Sequence, residues 1–163
     1  MKSNDIASFL EKKKIPFEIV DHKEVFTAKD AAKATKSKEQ EITKVLVLKV
    51  NGKKFIMAVL PGNLAAKIKR IKSAIGAKEV TLATEAEMKK ATGLKPGSAP
   101  ALGKLLKMKV YLDKTVEKNK NIVFPAGEYT KSIKVKLADW LKLEAPEVLE
   151  FSVVPSAKKK SKK

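Results

Sequence analysis

The sharpest pattern in the chain lies at residues 42–60. Two apolar runs, ITKVLVLKV (42–50) and KKFIMAVL (53–60), flank the dipeptide Asn51-Gly52. Runs of this length, rich in β-branched and large apolar residues, fit strands. Asn-Gly supplies the two positive-φ positions of a type I′ turn, so the segment predicts a β-hairpin. The first arm is apolar apart from Thr43, Lys44 and Lys49, the composition of a central strand. Pro61-Gly62 ends the second arm. The period then changes: Leu64, Ile68, Ile71 and Ile75 recur at helical spacing over residues 63–76, and Gly76 stops the helix.

The same reading extends in both directions. Residues 3–14 predict a helix capped by Ser3 or Asn4, with Ile6, Phe9 and Leu10 on one face and Pro16 beyond its end. A short strand follows at 17–20. TAKD (27–30) has capping-box spacing and opens a helix through about Ala34, and residues 38–41 predict one more turn. TEAE (84–87) is a capping box for a helix to Thr92, closed by Gly93. Residues 107–112, 121–125 and 131–137 predict strands, 138–143 a short helix and 147–154 a last strand. Strict alternation of strand and helix is absent, so the fold class is α+β: one domain, a mixed and mostly antiparallel sheet flanked by helices. The domain spans 1–154, followed by a lysine-rich tail at 155–163 expected to be disordered.

Charge narrows the partners. Lys+Arg 36 against Asp+Glu 18 gives a net charge of +18, and Arg70 is the single arginine. Lysine is a mobile point charge, better suited to a polyanion backbone than to reading base edges. Nucleic acid is the leading partner, an anionic membrane surface the second, and a merely solvated surface the third reading. No apolar run approaches the ~20 residues of a membrane span. The N-terminus lacks a signal-peptide apolar segment, and cysteine is absent, so the expected location is cytoplasmic.

Composition also limits the chemistry. Without cysteine there is no thiolate nucleophile and no cysteine-ligated zinc. With His22 as the single histidine there is no HxxxH or HxH metal pattern, so no metal or cofactor is expected. His22, beside Asp21 at the end of a weak strand, reads as a surface residue rather than a catalytic base. Two features remain. A chain with 7 Gly and 7 Pro in all gathers Gly93, Pro96, Gly97, Pro100 and Gly103 within residues 93–103. The loop follows a helix and matches neither GxGxxG nor a P-loop. It can present backbone, with N–H groups of Gly97, Ser98 and Ala99 meeting an oxyanion or a sugar hydroxyl, or it can be a rigid connection. Lys44 is the second feature. It shares a strand face with Ile42, Leu46 and Leu48, and a lysine among apolar residues needs an anion or a wet face.

The stretch from FTAKDAAKATKSKEQEITKVLVLKVNGKKFIMAVLPGN through IGAKEV, TGLKPGSAPALG, VYLD and FPAGE resembles the YbaK-like family of aminoacyl-tRNA editing domains, relatives of the insertion domain of bacterial prolyl-tRNA synthetase. The resemblance covers roughly residues 5–151. It implies a trans-editing enzyme that hydrolyses the ester of a mischarged tRNA, most simply tRNA(Pro) carrying Ala, Cys or another small residue. It assigns Lys44 as the essential residue engaging the substrate near the tRNA 3′ end. Gly93, Pro96, Gly97, Ser98, Ala99 and Gly103 fall in the loop that lines the aminoacyl pocket; Thr27, Asp113 and Gly127 also match the pattern. Ala101 departs from it, since the family loop usually has proline there and this chain has Pro100 one place earlier. No counterpart is expected for the pocket histidine found elsewhere in the family.

Residues and resemblance lead to one mechanism. With no side-chain nucleophile, water attacks an already activated ester, and the protein supplies position, a cation and backbone donors. The implied partners are tRNA and, by kinship, an aminoacyl-tRNA synthetase. The alternative is a non-catalytic RNA-binding module of the same fold.

Overall fold

The computed structural model describes residues 2–25 and 27–155. In chain order the elements are α1 (Ser3–Lys12), β1 (Phe17–Asp21), α2 (Ala28–Thr35), β2 (Thr43–Val50), β3 (Lys54–Pro61), β4 (Ala65–Ala66), α3 (Ile68–Ile75), β5 (Val80–Leu82), α4 (Glu85–Thr92), α5 (Gly103–Leu106), β6 (Lys109–Asp113), β7 (Asn121–Pro125), β8 (Lys131–Lys136), α6 (Leu137–Glu144), β9 (Glu147–Leu149) and β10 (Ser152–Val153). Short 3₁₀ turns occupy Glu39–Glu41 and Lys114–Lys118. The lysines of residues 156–163, read as a disordered tail, lie outside the described residues.

The expected α+β domain is present, its strands divided among three sheets. The largest has the order β5-β2-β3-β6-β9, with β3–β6 and β6–β9 parallel and the rest antiparallel. An antiparallel sheet, β1-β8-β7, stands beside it, and β10 pairs with β4. Period-2 alternation covers the large sheet on both faces. Val45, Val47, Met57 and Val59 enter one core with Ile6, Leu10 and Trp140. Leu48, Ile56, Ala58 and Leu60 enter the other, under Ile71 and Phe151.

The central hairpin turns where the sequence says it does. Asn51 and Gly52 both have positive φ, 52° and 67°, and Lys53 N–H closes the turn on Val50 O at 3.0 Å. Strand pairing resumes at Lys54, opposite Val50, leaving Lys53 as an extra residue. Asn51 does more than turn: its side-chain oxygen accepts from the N–H groups of Lys78 and Glu79 at 2.9 and 3.0 Å, docking the lead into β5.

Four expectations change. The helix after the hairpin starts at Ile68, because residues 65–66 pair with β10 and Lys67 N–H donates to Phe151 O. The single strand expected at 147–154 is two, β9 and β10, in different sheets; buried Phe151 breaks the run between them. Helix α1 is capped from Lys2, whose N–H donates to the Asp5 carboxylate at 2.8 Å, while Ser3 lies inside the helix and bonds Glu128. The strand expected from 107 begins at Lys109, because residues 103–106 coil into α5 and Lys107 takes a left-handed conformation. Helix α4 follows the reading: Thr84 and Glu87 exchange capping bonds, and Gly93 ends it at φ 76°.

Candidate functional site

The two main sheets touch at the start of β2. Ile42 bridges Val123 of β7, and Thr43 donates its hydroxyl to Val123 O at 2.8 Å. At this seam lies a cavity of about 340 Å³. Its walls come from four places: the end of β1 (His22), the start of α2 (Thr27, Ala28, Ala31), the start of β2 (Ile42, Lys44) and β7–β8 with their turn (Val123, Phe124, Glu128, Tyr129, Ser132). Gly97 of the Gly/Pro loop closes it. Lys44 and Gly97, 53 positions apart in the chain, thus border one hollow.

Lys44 is the electrostatic centre of the cavity. Its side chain is partly buried, and burial lowers its pKa from the ordinary lysine value. Among the described residues no carboxylate forms an ion pair with it, whereas Lys131, on the same wall, is paired with Asp21 at 2.5 Å. A desolvated ammonium without an anion is a site for one. Helix α2 adds to the same potential. Its first turn lines the cavity, and its unpaired N–H groups carry partial positive charge. Thr27 caps that turn, accepting from Asp30 N–H at 3.0 Å.

The loop residues are distributed more unevenly than the sequence reading expects. Gly97, at φ 86°, borders the main cavity. Gly93 and Ser98 line a neighbouring hollow of about 390 Å³, which shares Glu128 and Tyr129 with the first. Pro96, Ala99 and Gly103 line neither. Pro96 O accepts the Tyr129 hydroxyl at 2.8 Å, pinning the loop to the β7–β8 turn. Ser98 N–H and Oγ–H both turn back to Lys95 O, and Ser98 O accepts Gly127 N–H. A fan of three amides over Gly97–Ala99 is therefore not formed, since the Ser98 N–H is spent within the turn. Ala99 is buried, as is Ala101, whose carbonyl accepts the Trp140 indole N–H at 2.6 Å. At Gly103 an added Cβ would fall 2.2 Å from Val110 Cγ2, so glycine is required there by packing.

Asp113 and Gly127 also have structural work. Asp113 is buried and accepts from the N–H and hydroxyl groups of Thr115 and Ser152 and from Phe151 N–H, fastening β10 to the end of β6. Gly127 has φ 86°, and an added Cβ would press Ile6 Cδ1 at 3.1 Å.

The residue that sequence reasoning undervalued is His22. Far from being a bystander at a strand end, it lines the cavity. Its Nε2 lies 2.8 Å from Ser132 Oγ on β8, and its Nδ1 2.7 Å from Lys23 O. The register of β1 against β8, Val20 opposite Ser132 and Asp21 opposite Lys131, delivers the histidine to the site. Nothing in the local sequence announces that pairing. Among the described residues no cluster of three His, Cys, Asp or Glu side chains could hold a metal ion, and no helix is long and apolar enough to cross a membrane.

Comparison with known proteins identifies the family of the chain and its fold. The family model of the aminoacyl-tRNA editing domain matches residues 22–143. The multifunctional Ser/Thr-tRNA deacylase ProXp-y of Escherichia coli K12 is 30% identical over 139 residues, covering 83% of each chain. The proline–tRNA ligase of Staphylococcus saprophyticus is 32% identical over 114 residues, 69% of this chain but 20% of that much longer protein. Among solved structures, one described as a candidate trans-editing enzyme for prolyl-tRNA synthetase superposes with a TM-score of 0.83, covering 93% of this chain and 96% of that one at 20% identity.

Proposed function

Because this chain belongs to the aminoacyl-tRNA editing domain family, we propose that it is an aminoacyl-tRNA deacylase acting in trans on tRNA(Pro) mischarged with a small amino acid. The observation that carries the reading is the shared border of Lys44 and Gly97 on one cavity, with a partly buried ammonium that no carboxylate neutralises among the described residues. Translation supplies the substrate, so the enzyme works in the cytoplasm.

The chemistry follows from what the walls offer. The 3′ end of a tRNA brings phosphate and an ester carbonyl, both negative or becoming so during attack. Lys44 and the first turn of α2 hold that charge. Gly97 has no Cβ to keep the ligand off its backbone, and among the described residues no acceptor takes its N–H. Water attacks the carbonyl carbon, the ester C–O bond breaks, and the ribose hydroxyl leaves with a proton. The apolar patch of Val25, Ala28, Ala31 and Val123 sets the volume available to the amino-acid side chain. The lysine-rich surface supplies sequence-independent affinity for the rest of the tRNA, and kinship with proline–tRNA ligases supports synthetase association as the source of substrate.

The test is a deacylation panel: tRNA(Pro) charged with Ala, Ser, Thr, Cys or Pro, with hydrolysis followed over time and RNA affinity measured in parallel. Hydrolysis of at least one small mischarged residue, with prolyl-tRNA(Pro) spared, is expected. Tight RNA binding with no hydrolysis across the panel refutes the enzyme and leaves an RNA-binding module.

A further inference from the structure

Beyond the seam lies another hollow, of about 520 Å³. Arg70 of α3, Lys114 and Lys118 of the second 3₁₀ turn, and Glu117 and Glu150 line it. Its floor is the buried Asp113 carboxylate, which is fully engaged by Thr115, Phe151 and Ser152 and so ties the 3₁₀ turn and the lead into β10 to the end of β6. Lys67 N–H, at the head of α3, donates to Phe151 O, and β4 pairs with β10. The wall that carries Arg70 is thereby fixed to the same anchor.

Strand register puts this hollow near Lys44. Lys44 lies opposite Leu60 on β3, and the parallel pairing of Val59 with Leu112 sets Asp113 beside Leu60 on β6. Two strand spacings, about 10 Å, therefore separate Lys44 from Asp113 along one end of the large sheet. A different hollow, of about 490 Å³, also carries cations, Lys54, Lys107 and Lys109. It sits at the start of β3, about 20 Å away along the strand.

Two features set the Arg70 hollow apart from a merely lysine-rich surface. It holds the single arginine of a chain with 36 basic residues. A guanidinium presents a planar fork that matches two phosphate oxygens, where lysine offers a point charge. The hollow also mixes signs. None of Arg70, Lys114, Lys118, Glu117 and Glu150 forms an ion pair among the described residues. Cations and carboxylates that face one hollow without neutralising each other fit a ligand that brings an anion and an N–H donor together. Inorganic phosphate lacks the donor. A nucleotide whose base bears an amino group has both, since a carboxylate accepts from such a group, as from cytosine N4. The single-stranded C-C-A end of a tRNA offers a phosphate and an amino-bearing base at every step.

We propose that the Arg70 hollow binds a cytidine nucleotide of the tRNA 3′ strand, with the phosphate on Arg70, Lys114 and Lys118 and the base amino group on the carboxylate side, while the terminal ester lies at Lys44. This rests on the deacylase reading above and adds a second point of contact for the same substrate. The contact lies outside the amino-acid pocket, so it acts on every aminoacyl ester alike.

The experiment has two arms. The first measures kcat and KM for the best mischarged tRNA(Pro) of the panel and for the matching 3′-aminoacyl-adenosine, which has no phosphate to offer, using the wild type, Arg70→Gln, Arg70→Lys and Lys54→Gln. The last removes the same charge at the distant hollow. Arg70→Gln should raise KM for the tRNA about tenfold with kcat within about twofold. Arg70→Lys should recover only part of the loss, and Lys54→Gln should stay within about twofold. Hydrolysis of the adenosine ester should be unchanged throughout, which also proves the variants folded. The second arm titrates the wild type, Arg70→Gln and Lys54→Gln with cytidine 5′-monophosphate, uridine 5′-monophosphate and inorganic phosphate, followed by amide chemical shifts. The cytidine nucleotide should bind most tightly, and Arg70→Gln alone should lose it. An unchanged KM in Arg70→Gln overturns the inference, as does an equal loss on the adenosine ester or in Lys54→Gln. Phosphate or the uridine nucleotide binding as well as the cytidine nucleotide overturns it too. If no ester of the panel is hydrolysed, the deacylase reading falls, and the titration still decides whether the hollow takes a nucleotide.

Discussion

Replacing Lys44 with methionine removes the charge while keeping most of the length and apolar bulk. Two effects of opposite sign follow from the structure. The ammonium is partly buried with no carboxylate partner among the described residues, and burial lowers its pKa. A lysine whose folded pKa lies below its unfolded value makes the unfolded chain the better proton binder between the two. Stability therefore rises with pH across that window, and at neutral pH the charge works against the fold. Lys44→Met should leave the urea midpoint at pH 7 equal to or above that of the wild type. Catalysis should respond the other way. A charge-assisted hydrogen bond to phosphate or to a developing oxyanion contributes about 1.5–3 kcal/mol. Tenfold in rate corresponds to about 1.4 kcal/mol, so kcat/KM should fall by about 10- to 150-fold. Urea denaturation and single-turnover deacylation of the best substrate in the panel read the two effects separately. A variant as active as the wild type, within about twofold, refutes the electrostatic role. A clear drop in stability refutes the claim that the ammonium lacks a partner.

Three further outcomes test the frame around the site. Gly103→Ala places a Cβ against Val110 and Met108 O, at 2.2 and 2.5 Å, and should destabilise by about 1–3 kcal/mol in urea unfolding. Burial alone would raise the pKa of Asp113, but the Ser152 and Thr115 hydroxyls and the Phe151 and Ser152 amides outweigh it and hold it below 3.8; its stabilisation is complete above the unfolded value and lost as pH falls through the folded one, so the acid limb of the stability curve should flatten in Asp113→Ala. Burial raises the pKa of Glu144 above 4.5, and among the described residues its Oε2 has no hydrogen-bond partner. What the protonated form contributes is present below that value and lost as pH rises through the folded pKa, so Glu144→Gln should raise Tm at pH 8 and make little difference at pH 4.

What the sequence disclosed is what short-range chemistry decides. Asn51-Gly52, Thr84 with Glu87, and Gly93 name a turn, a cap and a helix end from residues within a few positions of one another, and all three stand. Lys44 was legible because a charge in an apolar strand is a local anomaly. The losses are all matters of register and partner. His22 reaches the cavity only because β1 lies against β8, 110 positions away, and Ser132 has no mark of its own until that pairing exists. Residues 65–66 satisfy a helical spacing and still form a strand, because β10 offers them a partner. The Gly/Pro loop is a local signal, but which of its glycines borders the cavity and which faces core depends on Tyr129, Val110 and Trp140, residues far from it in sequence.

The cavity belongs to neither sheet. Its cationic wall rides on β2 and its histidine–serine wall on β1 and β8, and Ile42–Val123 with the Thr43 hydroxyl is the clasp between them. Ile42, Thr43 and Val123 line the chamber as well as clasp the sheets, so a substitution there would change the wall itself and tilt one sheet against the other at the same time. The size of the chamber is thus tied to how the two sheets meet, and on the proposed deacylase reading selection among amino acids is open to retuning at this seam while Lys44 and Gly97 stay unchanged.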